Sequence, residues 1–156
     1  MTDMTSDLLR RAAVSGTFGS LASTAALMLA AEAEGKAAWR PTNATSHWQH
    51  GPIAAAVPYA DLRHTGLGYA THHAATTFWA LGSEWWAGSR DRLTPAEAFG
   101  SALVVSAIAA AVDYGATPKR FTPGWEYVLS KRSMAAVYVA MAAGLAVGAL
   151  ITNRRR

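Results

Sequence analysis

Cysteine is absent from the 156 residues, which excludes disulfides and thiolate chemistry. Charge is scarce too. Asp, Glu, Lys and Arg make up 15% of the chain, against roughly 25% in soluble domains. The scarcity is local: 12–31, 64–83, 98–112 and 133–153 hold no charged residue, in runs of 20, 20, 15 and 21. A soluble helical bundle needs charged side chains recurring on each helix's outer face, and these runs supply none. Also missing are a Walker loop, an HExxH pair, the paired carboxylates of a di-iron bundle and a nucleophile elbow.

What is present reads as an all-α integral membrane four-helix bundle, a single transmembrane domain over 1–156. About 20 mainly apolar residues span the hydrocarbon core as a helix. Three runs meet that length, and the third does so if Asp113 is tolerated near its end. The expected helices are 7–33, 62–86, 95–117 and 132–153. Gly35 can close the first. Thr94-Pro95-Ala96-Glu97 offers a capping threonine, a proline at the first helical position and a glutamate three residues after the cap. Lys36–Arg63 is too long for a simple turn and predicts an interfacial connection with a short helix near Thr42–Gln49. Trp39, Trp48, Trp85, Trp86 and Trp125 are candidate interface anchors. Mean hydropathy is only +0.11 because alanine and glycine carry much of the apolar count.

The sequence pI near 9.8 reflects Lys and Arg at span ends and in the Arg154–Arg156 tail, a placement suited to anionic lipid headgroups rather than nucleic acid. Seven basic residues fall on each side of a four-span topology, so the positive-inside rule gives no orientation.

Small residues form the clearest internal pattern. Ala140, Gly144 and Gly148 recur every four residues on the last helix, and Gly16 with Ser20, or Ser15 with Gly19, does so on the first. Such rows let helices approach closely in lipid, within one chain or between chains. Among polar groups, His64, His72 and His73 lie on the second helix. Asp113 is read as the acid inside a span. Helical rise places it near Gly68, within reach of His64 or His72 as a buried pair or a fragment of a proton relay. His72 and His73, as neighbours, point about 100° apart and cannot face one ligand. No other helix carries a histidine, so bis-histidine haem needs a loop ligand or a second chain.

Gly115-Ala-Thr-Pro118 followed by Pro123-Gly-Trp-Glu126, with Asn43-Ala-Thr-Ser-His-Trp48 earlier, resembles the YagU-type inner-membrane proteins of proteobacteria. The resemblance implies a four-span, multi-pass bacterial inner-membrane protein and brings no catalytic residues. The leading expectation is a non-catalytic accessory subunit with no cofactor or metal, acting through helix contacts with other membrane subunits or a second copy. One alternative is a small proton-coupled carrier or channel using Asp113 and the histidines. Another is a b-type haem or quinone-associated protein.

Overall fold

A computed structural model describes residues 2–90 and 92–153. The Arg154–Arg156 tail lies outside the described residues. Among those described, all regular structure is helical. Four long helices are joined by short ones: α1 (Thr2–Ala33), α2 (Arg40–Ala44), α3 (His47–His50), α4 (Leu67–Gly88), α5 (Pro95–Gly115) and α6 (Lys131–Asn153). The expected short helix near Thr42–Gln49 is thus two, α2 and α3, followed by a 3-10 turn over Pro52–Ala56.

The helix ends follow their local chemistry. Gly35, at φ 71°, closes α1 by giving its N–H to the Glu32 carbonyl while Lys36 N–H reaches Ala31, a paired closure that needs the left-handed region. A π-helical turn at Leu62–Gly66 leads into α4, and the Asp61 carboxylate accepts the His64 N–H at 2.5 Å. The α5 capping box forms as read: Thr94 N–H donates to Glu97, and Glu97 N–H to Thr94 Oγ1.

Three helical stretches are long and apolar enough to cross a membrane: Met4–Ala33, Pro95–Gly115 and Lys131–Asn153. α5 is inverted relative to a soluble helix. It buries Ala98, Ala102, Ser106 and Ala109 and exposes Phe99, Leu103, Val104, Ile108 and Val112. In water that arrangement wastes the apolar surface; in hydrocarbon it costs nothing. α4 has span length, but its histidines, threonines, Ser83 and Glu84 keep it outside that group. His72, Thr76, Ser83 and Glu84 are nevertheless buried, while Phe78 and Trp85 face outward.

The chain packs as two compact units. The first comprises Met1–Ser23, His73–Ala109 and Tyr138–Arg156. Within it, both small-residue rows of α1 are used, on different neighbours. A Cβ on Gly144 would overlap the Phe18 carbonyl and lie 2.7 Å from Gly19 Cα, and one on Gly148 would overlap Ser15. A Cβ on Gly16 would meet Thr77 of α4 at 2.5–2.9 Å. Ser20 is fully buried on the same side, and Ala140 is only half-buried.

The second unit comprises Thr24–His72 and Ala110–Val137. Here the polar connection is a packed object, with residues 41–47 all buried. Asn43 donates to the Val57 and Tyr59 carbonyls, both at 2.9 Å, and accepts from Thr65. Gly124, at φ 81°, brings its backbone against Ala44, where a side chain would collide with the carbonyl oxygen. Trp125 is corrected by this packing: it is 2% exposed, and its indole N–H is satisfied by Thr45 Oγ1 at 3.1 Å. A tryptophan whose N–H finds a protein partner has no need of headgroup water.

Candidate functional site

The strongest concentration of buried polar chemistry lies in the first unit, where α1 meets α4. Glu84 is completely buried. One carboxylate oxygen accepts from the Ser15 hydroxyl. The other lies 3.6 Å from Arg11 Nη1, an ion pair without a hydrogen bond. Arg11 is itself 5% exposed, and its Nε lies 3.3 Å from Asp7, one turn earlier. Thr152 of α6 adds a hydroxyl beside Glu84.

One guanidinium therefore sits between two carboxylates. Asp7 is itself shared, its other oxygen lying 2.8 Å from Arg10 Nη2, so two guanidinium groups answer the two carboxylates. A buried carboxylate whose ion pair makes no hydrogen bond is incompletely compensated, so Glu84 is a costly charge to keep inside. Room for the guanidinium comes from Gly88, where a Cβ would fall 2.5–3.0 Å from the Arg11 Nη atoms and Cζ. A cavity of about 350 Å³, lined by Met4, Thr5, Leu8, Arg11, Trp85, Gly88 and Ser89, reaches Arg11 from the outside. Along the same two helices Ser20 Oγ lies 2.8 Å from His73 Nδ1, and Thr77 and Ser83 hold buried hydroxyls. Polar side chains thus recur on the α1-facing side of α4 over three turns, from Glu84 back to His73.

Among the residues singled out from sequence, His72 and His73 diverge as expected: His72 meets the Trp125 ring edge at 5.4 Å, and His73 meets Ser20. His64 is not paired with Asp113. Its Nδ1 is bonded to Asp61 Oδ2 at 2.8 Å, and its ring lies 5.0 Å from that of His50. Asp61 wins by proximity, since it caps the turn on which His64 sits. The same contact, first through the His64 side chain and then its backbone N–H, holds the Asp61 carboxyl below its ordinary range. Asp113 is half-buried in the last turn of α5.

Trp39 and Trp85 are exposed, the latter by 73%. Trp86 is half-buried with the Arg90 guanidinium 4.4 Å above its ring, and Trp48 donates to Thr71 at 3.3 Å. Among the described residues no three histidine or acidic side chains converge as a metal-ligand set.

Sequence reading missed Arg11 and Glu84. Arg11 is one of several basic residues at span ends and nothing in its spacing sets it apart. Glu84 falls inside the expected helix 62–86, but one residue past a charge-free run, where it looks like a helix-end charge. The available signal was an acid on a helix that otherwise closes in tryptophans, facing a helix whose first charges include Arg11. Compared with protein-family models, curated proteins and solved structures, the chain matches none.

Proposed function

We propose that the chain crosses the bilayer four times, with α4 as its polar inner span, and works as a small proton-coupled carrier or channel in which Glu84 binds the proton. The observation that carries this reading is the fully buried Glu84, sharing Arg11 with Asp7 behind an outward cavity. An ionisable group inside a membrane-spanning helix is by default a functional candidate. α4 supports a fourth span because the side chains that lower its apolarity are largely turned inward. Protonation of Glu84 releases Arg11 to Asp7, and deprotonation draws it back. That alternation is a two-state element which a transported solute could bias.

The glycine row behind the accessory-subunit expectation has an occupant within the chain, α1, which weakens the case for a second protein there. The outward apolar face of α5 still favours the subunit reading as a second possibility, since another membrane helix would fit it as well as lipid does. A bacterial inner-membrane location is part of the same proposal and rests on the resemblance described above.

The deciding measurement is acid-driven proton flux into vesicles containing the purified chain, read with an internal pH dye. Wild-type protein is expected to exceed empty vesicles, and Glu84→Gln to fall to their level while remaining monodisperse. Flux equal in the two proteins sinks the assignment to Glu84. A wild type no faster than empty vesicles, which co-purifies from native membranes with another chain, selects the subunit reading.

A further inference from the structure

A second cavity, in the other unit, has different chemistry. It measures about 310 Å³, and its lining includes His47, Trp48, Gln49, Lys119, Arg120 and Tyr127. No carboxylate lines it. Lys119 and Arg120 sit in the turn after α5, and among the described residues neither is ion-paired. Arg120 is positioned rather than loose: its Nε donates to the Trp48 carbonyl at 3.2 Å, leaving both terminal amino groups for a ligand. His47 is 5% exposed and fixed from both sides. Its Nδ1 lies 2.9 Å from the Ala44 carbonyl and its Nε2 3.0 Å from that of Lys119. The Tyr127 ring meets His47 edge-on at 5.3 Å.

We infer that this cavity binds a phosphate-bearing anion. Two cationic side chains, Lys119 and Arg120, line one small space beside the His47 ring, and Arg120 and His47 are held by backbone carbonyls whether or not a ligand is present. Such preorganisation lowers the ordering cost of binding. Guanidinium and ammonium groups beside aromatic rings are the pattern that recognises phosphate oxygens at a membrane surface. The cavity is formed by the segments that join apolar helices, α3 and the turn after it on one side and the α5–α6 connection on the other. An anionic phospholipid headgroup is therefore one source of the ligand and free phosphate the other. The headgroup source relies on the membrane assignment, whereas phosphate binding does not.

Native mass spectrometry of the full detergent-solubilised chain tests this with three probes: phosphatidylglycerol, phosphatidylcholine and inorganic phosphate. The variant is Lys119→Gln with Arg120→Gln. Arg132→Gln with Lys131→Gln removes equal charge elsewhere as a control, and a thermal melt verifies folding of both. Retention of phosphatidylglycerol over phosphatidylcholine, cut roughly tenfold or more by the cavity variant and not by the control, supports the headgroup source. Phosphate retained with the same sensitivity, without preference between the lipids, supports the site with a soluble ligand. If neither probe distinguishes a folded cavity variant from the control, the inference is overturned.

Discussion

Gly148 on α6 approaches Ser15 on α1 so closely that one added carbon would overlap the serine Cα, and the same serine donates its hydroxyl to Glu84 on α4. A packing contact and the polar cluster therefore share a residue, so a methyl group on α6 should be felt at a carboxylate on α4.

Gly148→Ala and Gly144→Ala are expected to destabilise the chain by about 1–3 kcal/mol, the usual cost of overpacking a closed interface. Gly100→Ala is the contrast. A Cβ there meets nothing within 4 Å. Replacing glycine inside a helix should then be neutral or stabilising, by up to about 1 kcal/mol. Unfolding of the three variants in mixed detergent measures both signs. Equal tolerance at positions 100 and 148 would falsify the close α1–α6 contact.

Arg11 and Glu84 should behave as a coupled pair. Arg11→Gln leaves the buried Glu84 carboxylate without its cation and should cost about 3–5 kcal/mol, as when one partner of a buried ion pair is removed. Adding Glu84→Gln should recover part of that loss. A double-mutant cycle with no coupling would mean that the 3.6 Å separation marks proximity without interaction. Gly88→Ala, which displaces the guanidinium, should reduce proton flux more than it reduces stability.

The Glu34 carboxyl is held down to about 2 from an ordinary 4.5, chiefly by Lys36 and then by Ser133 and Ser130. Lys36 Nζ donates at 2.8 Å, Ser133 Oγ at 2.6 Å and Ser130 N–H at 3.0 Å. A depressed acid stabilises the fold above its unfolded pKa and loses that contribution as pH falls through the folded value. The melting temperature of Glu34→Gln should therefore lie below wild type at pH 7. The gap should close between about pH 4.5 and pH 2. A gap constant over that window would remove the electrostatic explanation.

Asp61→Ala should cost about 0.5–2 kcal/mol through loss of the cap before α4. It should also move the His64 imidazole resonances in the NMR spectrum, because the bonded carboxylate is gone. Asp113→Asn should leave those resonances in place. A His64 signal that follows Asp113 instead would restore the pairing expected from helical rise alone.

Because the chain has no cysteine, single-cysteine labelling can read topology directly. Leu62→Cys and Phe121→Cys, both at exposed positions, should react with an impermeant maleimide from one face of the membrane. Ser89→Cys should react from the other. Labelling of all three from one face removes the four-span arrangement.

Helix positions and ends were legible in the sequence because their causes are local. Thr94 and Glu97 meet within one turn, Gly35 alone can adopt its φ, and runs free of charge have a length that can be counted. The small-residue rows were legible as rows. Which of them met which helix was not, because Ser15 with Gly19 and Gly16 with Ser20 differ only by rotation about α1. The candidate site was hidden for the same reason. Asp7, Arg11, Ser15, Glu84 and Thr152 come from three helices, and no spacing along the chain encodes how α1, α4 and α6 are turned towards one another. Sequence decided which segments are helical and that much of their surface is apolar. Tertiary packing decided which few charges were taken inside, since burial of a charge depends on neighbours that only close approach of the helices supplies.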